Sequence, residues 1–208
     1  VEAGRMSLEV HPAGDIDNDG DIDFFGANKS INANGNHYLM LNDGTGHFSD
    51  VSTLLVAGNG SVYEAEAGDL DGDDDQDLFF VSLSGFQEGA VRNNLVGGGL
   101  TFTNQPTIAG SVDDNEISYC DYDNDGDYDV LVGSLGSHEY LYRNDGAFSF
   151  NNQSAQIQSI GDSSLDCTFA DLNNDGKYDI LTAQGESGVF QNRFYRNTGG
   201  ADTLAPVV

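Results

Sequence analysis

The 208-residue sequence has no tryptophan, two cysteines, three prolines and only seven basic residues. Two cysteines are too few to define a disulfide scaffold. The seven lysines and arginines stand against thirty-five aspartates and glutamates, for a formal charge of −28. A surface of that sign repels nucleic-acid phosphates and anionic lipid, so neither is expected as a partner. No apolar run approaches the roughly eighteen residues of a membrane-spanning helix, and no membrane insertion is expected. HExxH, GxSxG and P-loop sequences are missing, and with them the chemistries they bring. Without tryptophan the chain also lacks the largest flat ring for stacking on sugars. The four histidines, His11, His37, His47 and His138, are scattered and are expected at the surface or at strand ends. No convincing amphipathic helix is present.

What the chain has in excess is short runs of aspartate. The stretch DYDNDGDYDV begins at Asp121, and related stretches begin at Asp15 (DIDNDGDID), Asp69 (DLDGDDDQD) and Asp171 (DLNNDGKYD). The starts are 54, 52 and 50 residues apart, so the chain is an array of four units of about fifty residues.

In each stretch the acids fall at positions 1, 3, 5 and 9. They are Asp15, Asp17, Asp19 and Asp23; Asp69, Asp71, Asp73 and Asp77; Asp121, Asp123, Asp125 and Asp129; and Asp171, Asn173, Asp175 and Asp179. Alternate carboxylates on a tight turn converge, and so many hard oxygen donors suit Ca²⁺ better than Mg²⁺, which keeps more water. About four Ca²⁺ ions are expected, which would leave a net charge of about −20. Position 6 is Gly20, Gly126 and Gly176, where the chain reverses with positive φ; the second loop has Asp74 there. Position 7 would offer its backbone carbonyl, so its side chain varies: Asp21, Asp75, Asp127, Lys177. The EF-hand glutamate at position 12 is missing, since Gly26, Phe80, Val132 and Thr182 stand there. Position 9 instead opens a strand-like apolar run.

The rest of each unit is also in phase. A strand-like segment precedes each loop (SLEVHPAG, VYEAEAG, EISYC, LDCTFA), and another ends in Asn42, Asn93, Asn144 and Asn197. Gly-rich turns then lead to an aromatic (DGTGHF, NLVGGGLTF, DGAFSF), a hairpin signal. Four short strands per unit match one propeller blade.

An aspartate loop running into an apolar strand, followed by YLxxNDGxGxF, resembles the FG-GAP/VCBS-type repeat, to which the integrin α-subunit head is related. The resemblance covers all but the last several residues. It implies an all-β fold, a β-propeller of four blade-like units over 1–200. The calcium loops would be 15–23, 69–77, 121–129 and 171–179, with 201–208 a linker or closing strand. It also implies that positions 1, 3, 5 and 9 bind calcium. Asn173 lowers the ligand charge of the fourth site, and Asp74 puts a non-glycine at the reversal. Family propellers have about seven blades, so the chain is expected to be part of a larger propeller or to self-associate. A closed four-bladed ring is the alternative, and the fourth unit is complete only if residues 204–208 supply its last strand. With no leader at Val1, the chain is expected to be processed or trimmed.

The expected function is a non-enzymatic extracellular module, secreted or on a cell surface, for adhesion, scaffolding or surface assembly with a protein or glycan ligand. Weak calcium sites belong in the millimolar calcium outside cells. The alternative is a carbohydrate-binding or catalytic propeller of a polysaccharide-active enzyme. Sequons stand at Asn28, Asn59 and Asn152. Cys120 and Cys167 lie in equivalent strands at odd and even offsets, which allows two buried thiols or a bridge between adjacent units. Glu64, Glu116 and Asp166 recur five residues before their loops, as a polar face of the innermost strand or as a second ring of acids. Tyr38, Tyr140, Tyr142, Tyr195, Phe48, Phe102 and Phe150 are expected in the blade core.

Overall fold

A computed structural model describes residues 8–28, 37–55, 61–83, 87–106, 108, 113–185 and 191–199, with side chains from residue 14 onward. Residues 204–208 and Asn59 lie outside these, as do the side chains of His11 and Asn28. The described residues form fifteen strands and two single-turn 3₁₀ helices, Ser52–Leu54 and Ser154–Gln156.

The strands come in repeating antiparallel meanders. The first holds β1 (Leu8–Gly14), β2 (Asp23–Asn28), β3 (Tyr38–Asn42) and β4 (Phe48–Asp50), paired in that order. The second holds β5 (Val62–Gly68), β6 (Asp77–Ser82), β7 (Gly89–Asn93) and β8 (Phe102–Asn104). The third holds β9 (Asp113–Cys120), β10 (Asp129–Ser137), β11 (Tyr140–Asn144) and β12 (Phe150–Asn152), and the fourth β13 (Asp162–Ala170), β14 (Asp179–Gln184) and β15 (Arg193–Tyr195). Every aspartate loop joins the first strand of its meander to the second, and each second strand starts at position 9, where the sequence places it. The end of β10 runs on to pair with β13, Leu135 opposite Ser163, so the third and fourth meanders share one sheet.

The chain divides into two compact units, residues 1–69 with 74–111, and residues 70–73 with 112–208. In the first, Phe25, Ala27 and Leu39 of one meander pack on Ala65, Leu78, Phe80, Val91 and Phe102 of the other. In the second, Leu131, Leu141 and Ile157 pack on Cys167 and Ile180, with Tyr122, Phe169 and Tyr195 at the margin. The second strand of the second meander is covered on both sides: all six residues of β6 are buried. Its continuous apolar run, Leu78 to Val81, rather than clean alternation, follows from that.

Buried polar groups hold the strand ends. Glu88, just before β7, accepts the Ser82 N–H at 2.8 Å, and Glu139, just before β11, accepts the hydroxyls of Ser164 and Tyr195. His37 holds the same place before β3; it is buried near the Phe25 and Phe80 rings, and burial pushes its pKa down to about 4. Cys120 and Cys167 are both buried thiols and are not bridged to each other. The three recurring acids differ in environment: Glu64 is buried, Glu116 half-buried and Asp166 exposed. Register shifts in β5 beside Glu64 and in β13 beside Asp166 break the alternation there. Tyr142 and Phe102 are core residues, whereas Phe48 is exposed and lies against Phe24, the ring centroids 5.1 Å apart and the planes tilted by 49°.

Candidate metal centres

Each loop is shaped by two residues in the left-handed region. Position 6 is one, with φ of 96° at Gly20, 100° at Gly126, 81° at Gly176 and 68° at Asp74. Position 4 is the other, with φ of 56° at Asn18, 61° at Asn124, 58° at Asn174 and 78° at Gly72. Asparagine tolerates this region better than most residues, and glycine enters it freely. The second loop therefore exchanges the usual order, with glycine at 4 and a side chain at 6. Asp74→Gly is expected to be neutral or to stabilise by up to about 1 kcal/mol. Chemical denaturation that found it clearly destabilising would contradict this.

Carboxylates at positions 1 and 5 tie the turn together. The N–H groups of positions 5 and 6 donate to position 1: Asp19 and Gly20 to Asp15, Asp125 and Gly126 to Asp121, Asp175 and Gly176 to Asp171. In the second loop Asp74 donates to Asp69 at 3.0 Å. The N–H of position 7 donates to position 5, as Asp21 to Asp19, Asp127 to Asp125 and Lys177 to Asp175. The hairpin glycine also belongs here. A Cβ on Gly44 would collide with the Asp21 carboxylate, and one on Gly146 would stand 3.1 Å from that of Asp127.

Position 9 is a buried clamp. Asp23, Asp77, Asp129 and Asp179 are all at most 1% exposed. Asp129 accepts the Tyr122 N–H at 2.8 Å and the Asn144 N–H at 2.9 Å, one on each oxygen. Asp23 does the same for Ile16 and Asn42, and Asp179 for Leu172 and Asn197. Asp77 accepts the Asn93 N–H at 2.8 Å. The asparagine that ends the third strand is thus anchored to its own loop, a role the sequence motif does not disclose.

Three of the four loops gather carboxylate oxygens within 4.8 Å of one another: Asp15, Asp17 and Asp19; Asp69, Asp71 and Asp77; Asp121, Asp123 and Asp129. The third and first positions recur in all three, while position 5 completes the first set and position 9 the others. Asp73 and Asp125 are outside these groupings, as are the side chains of Asp21, Asp75 and Asp127. The donor set fits a hard divalent cation. Asp17 Oδ1 is a buried carboxylate oxygen with no hydrogen-bond partner, an atom that a cation would satisfy. Burial first, then the neighbouring carboxylates, push Asp17 and Asp123 above the usual range, and burial pushes Asp129 up to about 7. When bound, Ca²⁺ would hold these groups ionised and relieve their mutual repulsion.

The fourth loop is different. Asn173 donates its amide to Asp179 at 3.3 Å, and Lys177 sends its ammonium to the Gly199 carbonyl at 2.7 Å. No such carboxylate grouping forms there among the described residues. The fourth site is expected to lose calcium first as its concentration falls, because ligand charge sets affinity. A site-resolved titration in which it proved the tightest would refute this.

Beside the third and fourth loops lies a cleft of about 750 Å³ walled by Tyr122, Phe169, Tyr178, Ile180 and Tyr195. The first unit fills the equivalent place, where Ile16, Leu78 and Val91 pack with Phe102 of β8. No strand follows β15 among the described residues to take the part of β8.

Residues 15–80 and 121–182 match the family model described as FG-GAP-like repeat. No curated protein matches the chain. Among solved structures it is similar to BBS1N, crystallised in complex with ARL6DN and soaked with mercury, at 12% identity and a TM-score of 0.50. The match covers 97% of this chain and 53% of that one, so the chain spans about half the length of that relative. At such identity the likeness is one of fold.

Proposed function

The chain belongs to the FG-GAP-like repeat family, and on that premise we propose that it is a calcium-stabilised β-propeller module that binds and presents rather than catalyses. The observation that carries the calcium reading is the recurrence of convergent carboxylates in three loops in phase, with the unpartnered Asp17 Oδ1 among them. A metal that belongs to the architecture should follow every repeat, whereas a catalytic site breaks repeat symmetry at one place. The departures in the loops, Asp74, Asn173 and Lys177, supply no acid–base pair.

The four meanders are read as blades of a propeller of about seven, with the remaining blades supplied by flanking sequence or by association. The module works outside the cell, where calcium is millimolar and weak sites fill. Its ligand is a protein or a glycan. A glycan-array screen beside lyase and hydrolase assays on the calcium-loaded protein tests the non-enzymatic half of this reading. Binding without turnover is expected, and turnover of any polysaccharide at a useful rate would overturn it.

A further inference from the structure

The hydrogen bonds of the first unit do more than shape each aspartate loop; they join the first loop to the second. Asn93 is fully buried at the end of β7. Its backbone N–H donates to Asp77 Oδ1 at 2.8 Å, inside its own repeat. Its side-chain Nδ2 reaches back to the first loop and donates to the Ile16 carbonyl at 2.8 Å, and also to Gln76 O at 3.3 Å. The Ile16 N–H in turn donates to Asp23 Oδ2 at 2.8 Å. A chain of contacts therefore runs from the Asp23 carboxylate through the N–H and the carbonyl of Ile16, and through the side-chain amide and backbone N–H of Asn93, to the Asp77 carboxylate.

A second path lies nearer the surface. Asn18, at position 4 of the first loop, donates its Nδ2 to Asp75 Oδ1 at 3.0 Å, at position 7 of the second. The other Asp75 oxygen accepts the Leu95 N–H at 2.9 Å. Asn18 has a φ of 56°, so its side chain bears on the second loop only when the first has closed its left-handed turn.

Two asparagines that are not members of either carboxylate grouping thus fasten the two loops together. The arrangement is built rather than incidental: Asn144 makes the same three bonds in the second unit, with its N–H on Asp129 and its Nδ2 on Leu70 O and Tyr128 O. Asn42 makes the two bonds within its own repeat, its N–H donating to Asp23 and its Nδ2 to Ile22 O.

We propose that Asn93 and Asn18 couple the first two cation sites, so that binding at one raises the affinity of the other. This rests on the calcium reading of the loops. A loop ordered by its ion holds Ile16 and Asn18 in place, so its neighbour pays less to order its own ligands. The coupling is reciprocal.

The test is an amide-resolved NMR titration of the full chain with Ca²⁺. The Gly20 and Asp74 N–H groups, which donate to the position-1 carboxylates Asp15 and Asp69, report the two loops separately. Asp17→Ala cripples the first site. In the otherwise native chain it should weaken calcium binding at the Asp74 amide by about fivefold or more. In the Asn93→Ala or Asn18→Gly background, where one of the two paths is cut, the response of the second site to Asp17→Ala should be reduced. An unchanged second site in the native background, or an undiminished response in both asparagine variants, would overturn the coupling. Should Asn93→Ala fail to fold, Asn18→Gly decides alone, because glycine accepts its backbone angle: a reduced response supports the proposal and an undiminished one refutes it. If neither amide responds to calcium in the native chain, the calcium reading itself is wrong, a result distinct from binding without coupling.

Discussion

Chelation with EDTA is expected to lower the melting temperature by about 20 °C at neutral pH. An ion present at a hundred times its dissociation constant stabilises the native state by about 2.7 kcal/mol per site, and a chain of this size loses about 2–4 °C per kcal/mol. Three convergent loops each forfeit that contribution together. The loss should depend on pH with opposite signs in the two states. Without metal, burial holds Asp129 up to about 7 and raises Asp17, Asp23 and Asp123 as well. A carboxyl whose folded pKa lies above its unfolded value favours folding while protonated. The metal-free protein should therefore be most stable below about pH 4 with respect to these groups, and lose that stability as pH rises towards about 7. With calcium the ligands must be ionised, so stability should rise over the same interval. Calorimetry across that range, with calcium and with EDTA, reads both slopes. Melting curves that coincide at pH 7, with no metal detected in the protein, would remove calcium from the account.

Much of this architecture is legible in the sequence because the repeat is scored four times over. A loop of alternate aspartates that leads directly into DFFGAN, DLFFVS, DVLVGS and DILTAQ fixes the start of every second strand, and NDG turns mark the ends of β3 and β11. The positive φ at position 6 follows from glycine in three copies. The positive φ at position 4 was readable too, since Asn18, Asn124 and Asn174 line up with Gly72, but alternating acids draw attention to the odd positions. The clamp at position 9 is hidden for a different reason. An aspartate in a cation loop has a sufficient explanation as a ligand, and only the structure shows Asp23 buried and facing two backbone N–H groups. The bonds of Asn93 and Asn144 to an earlier loop are invisible in sequence because they span more than seventy residues. Environments that depend on bulges, such as those of Glu64 and Asp166, also escape a period-two reading.

The clamp has a consequence that separates structural from ligand roles among the aspartates. Asp129→Ala should destabilise the protein by about 3–5 kcal/mol, because it strands two buried N–H groups, those of Tyr122 and Asn144, at about 1–3 kcal/mol each. Asp129→Asn should recover little of this: the amide oxygen can accept one N–H, while its NH₂ would face the other donor. Both effects should persist in EDTA, since neither N–H depends on a metal for its partner. Asp123→Asn offers the contrast. Its carboxylate lies in the third grouping but does not hold a buried pair of N–H groups, and asparagine retains one acceptor. Its cost should be large with calcium and small in EDTA, where the repulsion relieved beside Asp125 and Asp121 offsets the lost 3.8 Å pairing with Arg143. Denaturation of the three variants with and without calcium reads the difference. If Asp129→Ala in EDTA proved as mild as Asp123→Asn, position 9 would be only a ligand, and the strand ends would owe their order to something other than its carboxylate.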